Sequence, residues 1–520
     1  MKLSEILKNK TNKEIWDYYC HFLNIDLGEY MDIQFNLLSE QIVNWDSSKM
    51  SLELLGEHES IDLNNYRKVV PLTEYEDYAK YLLDKKTEYL SESPEIWIQT
   101  TWEGGIKPIK LAPYTKKMLD VFFENIVCAF LMSTAKKKNQ VKIDGYEKVL
   151  YGLAPLPFLT GVFPYLVEKN SDIAFLPPVN EAINLSFKER NKLGFKLALK
   201  NNVDYFFGLG SVCYAVSSFF DKALFDNSKK SSNLNLKPGV LFKVIKAKIK
   251  KKVFKKEILP KDLFKLKGFI VAGTDNEYYK DDLKKMWGIR PLELFAGTEV
   301  SFIGIESFSR NGMYFFPNVG FYEFIKLKDT IKSKIDCEYV PKTYLMNEVE
   351  EGEIYELVIS NFHNGAFMRY RVGDVYKCIG KVDEKEKIRI PRFKYIDRIP
   401  WIIDIAGFTR FNEEEIVKVL NDCNIQYSEF VALKDFNENN KPFLHLFIEG
   451  ADNSFDIESK ICESFKRIDE DFEGLQKILG FNPLKITLLA DNRLSKYIKE
   501  YEYFMHVDSM NKELLELLKR

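Results

Sequence analysis

A hydroxyl and a carboxylate stand side by side in the segment Leu294 to Gly304 (LFAGTEVSFIG). Thr298 and Glu299 follow the small residues Ala296 and Gly297, where the apolar pattern predicts the C-terminal end of a strand. A threonine hydroxyl there suits a phosphate oxygen, and the carboxylate suits magnesium, a hard cation that takes oxygen ligands. A Gly-Thr-Glu turn also arises for conformational reasons alone, so this segment needs company. The company is Glu351 to Gly380 (EGEIYELVISNFHNGAFMRYRVGDVYKCIG): an alternating strand, a turn at His363, Asn364 and Gly365, and a second strand through Tyr370, Arg371, Gly373 and Asp374. An aspartate on a buried strand can accept both hydroxyls of a ribose, and the glycine beside it leaves room for the sugar. The competing reading is an ordinary hairpin with an Arg371–Asp374 pair. His363, a lone loop histidine, is more often incidental than catalytic.

Five segments in order, strongest from Phe264 to Glu415, carry a resemblance: FKLKGFIVAGT, LFAGTEVSFIGIE, MYFFPNVGFYEFI, IYELVISNFHNGAFMRYRVGD and DRIPWIIDIAGFTRFNEEEI. The chain resembles the adenylate-forming superfamily and, within it, the GH3-type acyl-acid amido synthetases. That resemblance implies an α/β fold, with a large adenylation domain over 1–397 carrying the site and a small, mobile α+β lid over 398–520. It implies ATP and Mg2+, with Gly273 and Thr274 lining the nucleotide pocket and Gly297 and Thr298 beside the adenine and α-phosphate. Glu299 would hold the metal, Asp374 the ribose, and Arg371 and Arg398 would belong to the nucleotide-binding set. Where many relatives have a hinge aspartate two residues after that last arginine, this chain has Pro400.

The same resemblance places a phosphate-binding loop upstream, and Thr100 to Pro113 (TTWEGGIKPIKLAP) is the candidate. Thr100, Thr101, Gly104 and Gly105 would offer hydroxyls and backbone N–H groups, while Lys107 or Lys110 would offset phosphate charge. Trp102 and Glu103 interrupt what is usually a run of Ser, Thr and Gly. A catalytic lysine is expected from the C-terminal domain; Lys496 and Lys499 are the candidates, with two solvated helix lysines as the alternative. The implied reaction joins a carboxylic acid to an amine, an amino acid in the GH3-type reading. A phenylacetate-type coenzyme A ligase is the alternative acceptor chemistry, and a binding protein that has lost catalysis is the alternative outside enzymes.

These groups need elements to hold them. Residues up to about 90 repeat apolar positions every three to four residues and predict a helical layer. After Pro94 short apolar runs alternate with helical patterns, which predicts a sheet flanked by helices with function at the strand ends. Lys243 to Glu257 (KVIKAKIKKKVFKKE) predicts an amphipathic helix with Val, Ile and Phe turned inward. Beyond Arg398 to Pro400 come a hairpin around NENNKP, one long helix over FDIESKICESFKRIDEDFEGLQKI and the strand LKITLLA. The runs Gly152 to Leu166 and Tyr205 to Val216 could line an acyl pocket, but core is their commoner fate.

With 46% hydrophobic and 29% charged among 520 residues, the chain can bury a large core. A net charge of -2 gives no overall attraction to nucleic acid or an anionic bilayer, so the expected partners are small molecules. Seven scattered cysteines without a CxxC pair argue for reduced thiols rather than a disulfide framework or zinc site. No stretch reaches the roughly 20 apolar residues of a membrane span, and the charged first residues predict no secretory leader, so a cytoplasmic location is expected. Oligomeric state is not legible.

Overall fold

The computed structural model describes residues 2–101, 109–221, 238–407, 409–451, 457–490, 492–500 and 504–520. The expected helical layer comes first, with its longest helix at Leu27–Asp46 capped by the Asp26 carboxylate. Tyr30 and Gln34 from one face of that helix bond the carbonyls of Phe315 and of Pro317 and Gly320, fastening the layer to the sheet behind it.

A short antiparallel pair, β1 (Ile96–Thr101) and β2 (Ile109–Tyr114), leads into the long helix Lys116–Thr134. Most of that helix's turns are apolar and buried, as suits an element running through the core. Its cap, Thr115, also donates to the His363 carbonyl at 2.8 Å. The helix is thereby tied to a distant hairpin turn.

The parallel strands are β3 (Lys148–Gly152), β4 (Ala174–Leu176), β5 (Tyr205–Leu209), β6 (Gly268–Ala272) and β7 (Leu292–Gly297). Their sequences are almost wholly apolar, because helices cover both faces of a parallel sheet. From β7 the pairing turns antiparallel, through β8 (Ser301–Glu306), β9 (Met313–Phe315), β10 (Gly320–Lys326), β11 (Thr343–Leu345), β12 (Ile354–Asn361), β13 (Tyr370–Gly380) and β14 (Arg392–Arg398). All twelve strands from β3 to β14 form one sheet, in the order β11-β10-β12-β13-β14-β9-β8-β7-β6-β5-β3-β4. The parallel and antiparallel halves meet at β7 and β8.

Beyond β14 the chain makes a small pair, β15 (Ile403–Ile405) and β16 (Thr409–Phe411). A four-stranded sheet follows, built from β17 (Glu429–Phe436), β18 (Pro442–Glu449), β19 (Leu484–Leu489) and β20 (Val507–Asp508). Phe411, Ile416, Phe430, Leu446, Phe465 and Phe472 belong to a core of this region's own.

The large α/β body with a smaller α+β unit is the architecture expected, and the hairpin around NENNKP is β17 and β18. Two local expectations are corrected. The single long helix is two, Ile457–Ile468 and Glu470–Leu479, broken at Asp469 so that Phe465 and Phe472 stack at 5.4 Å. The lysine-rich helix, Pro238–Phe254, turns much of its apolar side outward, with Phe242, Ile245, Ile249 and Val253 exposed.

Both candidate acyl-pocket runs contribute to core. Phe163 packs on Phe207 and Phe302 at 5.1 and 5.6 Å between ring centres, each ring contributing about 2 kcal/mol through burial. Cys20, Cys128, Cys213, Cys378 and Cys462 are buried free thiols.

Candidate nucleotide-binding site

The sheet brings the expected residues together from distant positions because their strands end on the same side of the seam. Thr274 follows β6, Thr298 and Glu299 follow β7, Asp374 lies on β13, and Arg398 ends β14 opposite Asp374 in register. This is where an α/β sheet offers its ligand crevice.

Glu299 is the centre of one group. Its Oε1 accepts from Lys110 Nζ and from the Tyr370 hydroxyl, both at 2.9 Å, while Lys110 and Tyr370 are themselves 3.2 Å apart. Burial would raise the Glu299 carboxyl, but the ammonium and the two bonds outweigh it and bring the pKa down to about 2. Glu299 therefore stays ionised at any ordinary pH, as a metal ligand must. The Tyr114 hydroxyl holds the Thr298 carbonyl at 2.8 Å and Asn361 holds the Glu299 carbonyl at 3.0 Å, so the turn is braced on both sides. Lys110 and Glu299 side chains retain 20% and 13% of their exposure, which leaves the pair reachable.

Asp374 anchors a second group. Only 2% exposed, its Oδ1 makes no hydrogen bond among the described residues, although the Arg398 guanidinium stands 3.5 Å away. Burial raises its carboxyl, which the nearby arginines partly oppose. A buried acceptor without a donor is costly in isolation, so this carboxylate suits a ligand hydroxyl. Gly273 and Gly373 bracket the crevice with φ of +96° and +78°, a backbone that glycine adopts without strain.

Asp404, on β15, joins the two bodies. It accepts from Thr274 Oγ1 at 2.7 Å, from the Gly407 amide at 2.8 Å and from Arg410 Nε at 3.0 Å. A Cβ on Gly407 would come 3.2 Å from the Thr274 hydroxyl, and its φ of +72° is a backbone that glycine adopts without strain. Beside it Lys434, from β17, is wholly buried between Asp275 and Asp397 at 2.9 and 3.0 Å. Two carboxylates share one ammonium there, and burial pushes Asp397 up to about 7.

The other expected residues fall as follows. Arg371 is spent on a bidentate pair with Glu356, at 3.0 and 2.6 Å, rather than brought to Asp374. Thr100 pairs in register with Lys110, and Thr101 with Ile109. Gly104, Gly105 and Lys107 lie outside the described residues, as do Trp102 and Glu103. Lys496 is exposed on the helix Arg493–Glu500, whose Leu494 and Tyr497 pack with Val431 and Leu433; the Lys499 side chain is not among those described. His363 Nε2 is occupied by the Asn318 carbonyl at 2.8 Å.

Sequence reasoning missed Tyr370, Asp404, Arg410, Asp275 and Lys434 as members of these groups. Tyr370, Asp404 and Arg410 lie inside two of the five matched segments; Asp275 directly follows the matched Thr274, and nothing local marks Lys434.

Comparison with known proteins follows the same lines. The GH3 family central domain matches residues 313–398, from β9 to β14. A jasmonoyl--L-amino acid synthetase, GH3.5 of Oryza sativa subsp. japonica, is 24% identical over 227 residues, 39% of this chain and 38% of that protein. The synthetase JAR4 of Nicotiana attenuata is 22% identical over 194 residues, 36% of this chain and 31% of its own length. The matched stretch thus spans only 38% of the first relative and 31% of the second.

Among solved structures, the acyl acid amido synthetase AtGH3.15 in complex with 2,4-DB has a TM-score of 0.54 at 15% identity, over 99% of this chain and 95% of that one. A 2-hydroxyisobutyryl-CoA ligase has a TM-score of 0.55 at 13% identity, over 95% and 92%. At such identities these likenesses speak for the fold alone. Inside that fold, the stretch from β9 to β14 matches the GH3 family central domain.

Proposed function

We propose that this chain is an ATP-dependent ligase that activates a carboxylic acid as its acyl-adenylate and then passes the acyl group to an amine, an amino acid, to form an amide. The observation that carries the reading is the meeting at one sheet seam of an ionised Glu299, a cation at Lys110 and a buried carboxylate, Asp374, with an acceptor to spare.

In this reading residues 1–397 form the adenylation domain and 398–520 the closing domain. The ribose hydroxyls donate to Asp374, and Thr298 and Gly297 lie along the adenine and α-phosphate. Glu299 is a fitting oxygen ligand for Mg2+, which usually binds one or two carboxylates together with substrate phosphates; when bound, the ion would neutralise phosphate charge. Lys110 turns from Glu299 toward the phosphates. Tyr370 keeps the carboxylate in place meanwhile, since its hydroxyl bond to Oε1 does not depend on the lysine.

The substrate carboxylate oxygen attacks the α-phosphorus, and the bond to the β-phosphate bridging oxygen breaks to release pyrophosphate. The amine nitrogen then attacks the acyl carbon, loses a proton, and AMP leaves with the bonding pair. No protein nucleophile is needed; positioning and charge neutralisation carry the rate. Lys434, already within the crevice wall, and Lys441, which bonds the Tyr278 carbonyl and Asp282, are C-terminal lysines that have to move if the closing domain rotates.

ATP–pyrophosphate exchange across aryl, indolyl and fatty acids, followed by amino acids or coenzyme A added to a responsive acid, tests the reading. Acid-dependent exchange with amide product is expected. A thioester instead would make the chain a coenzyme A ligase, and silence with no ATP binding by calorimetry would leave a binding protein.

A further inference from the structure

The helix Pro238–Phe254 inverts the usual arrangement of a surface helix. Its inward side is thin: Ala247 is buried, Val244 is half-buried, Lys243 reaches the Leu263 carbonyl at 3.2 Å and Lys251 pairs with Asp221 at 2.5 Å. Phe242, Ile245, Ile249 and Val253 are 69%, 46%, 58% and 65% exposed. At 3.6 residues per turn these four fall within about 80° of the helix circumference, centred opposite Ala247 and Val244. Lys248 and Lys252 flank the ridge on one side and Lys246 on the other, all exposed. Eight lysines and no acidic residue lie between Lys243 and Lys256.

We propose that this helix docks the protein on the surface of an anionic lipid bilayer, lying in the plane with the four apolar side chains inserted among the acyl chains and the flanking lysines at the headgroups. The pattern is that of an interfacial helix, with an apolar strip bounded by cations whose stems reach up to the phosphates. Charge complementarity selects this occupant. A second copy of the chain would bring two lysine rows together, and a nucleic acid would have no use for four apolar side chains on the crest. Lysines near an anionic leaflet are each attracted to it, so the site acts locally although the whole chain carries a charge of -2. No described helix is long and apolar enough to cross a membrane, so docking is peripheral. The inference is independent of the ligase reading.

The full chain is to be floated with vesicles of phosphatidylcholine alone and with a third of phosphatidylglycerol. Binding to the anionic vesicles only, weakened by salt, is expected. The quadruple variant Phe242→Ser, Ile245→Ser, Ile249→Ser, Val253→Ser should bind at least about tenfold more weakly at equal salt, with its urea unfolding midpoint unchanged. Lys246→Glu with Lys252→Glu should also lose binding. A single Ile249→Trp should show a blue-shifted emission on the anionic vesicles, a readout that a purely electrostatic contact would not give. No binding to anionic vesicles, or equal binding by the serine variant, overturns the proposal. So does a dimer in light scattering that the serine variant abolishes, or a single-stranded RNA that binds both forms alike in place of the vesicles.

Discussion

Two clusters of oppositely charged side chains serve different ends. Lys280, 1% exposed, sits among Glu293, Glu306 and Glu277, with Glu306 at 2.8 Å and Glu277 at 3.2 Å. Its ammonium is saturated and nothing reaches it. Lys110 and Glu299, by contrast, make one bond to each other and share Tyr370, while keeping a fifth and an eighth of their exposure. Both are strong ion pairs; the difference is access. A closed cluster can only hold the fold, whereas an accessible one can exchange its internal partner for a ligand's charge.

That contrast can be broken at either end. Lys280→Met removes the cation beside Glu306 and Glu293, whose side chains are 2% and 12% exposed, and should cost about 3–5 kcal/mol in urea unfolding, while leaving exchange per folded molecule unchanged. Equal losses of activity and stability would erase the distinction. Glu299→Ala should do the reverse, lowering exchange by about a hundredfold or more with little change in unfolding. Asp374→Asn keeps the shape but exchanges an acceptor oxygen for a donor, and should weaken ATP binding by about tenfold in calorimetry. Tyr370→Phe should cost only a few-fold, visible as a raised magnesium requirement, since Tyr114 and Asn361 still brace the turn that carries Glu299.

The Lys434 triad sharpens the comparison through pH. Asp397 titrates in the folded protein at about 7, well above an unfolded aspartate, so the native state holds a proton that the unfolded chain has released. The stabilisation this group gives is complete below about pH 4, falls as pH rises, and is lost above about 7. Urea midpoints should therefore drop between pH 5.5 and 7.5 more in the wild type than in Asp397→Asn. A parallel fall in both would remove Asp397 as the cause.

Much of the fold was legible because its signals are local. Apolar runs marked β5, β6 and β7, an alternating pattern and the turn after it marked β12 and β13, and helical periodicity marked the first layer. Asp469 was passed over because its neighbours keep helical spacing on both sides; only the stacking of Phe465 on Phe472 makes the break profitable. The lysine-rich helix was assigned the wrong side because a sequence shows that a face is apolar, not which way it points.

By itself the sequence determined which residue types stand at the strand ends, and so the chemistry: Thr298 and Glu299 after β7, Asp374 on β13, Arg398 ending β14. It could not determine partners. That Arg371 turns to Glu356 while Tyr370, next to it, turns to Glu299 follows from the alternation of side chains across a strand once its neighbours are known. That Lys434 sits between Asp275 and Asp397, 159 and 37 residues away, depends on how the smaller body rests on the larger. Hydrogen bonds and ion pairs act over about 3 Å, and only the tertiary structure decides which charges come that close.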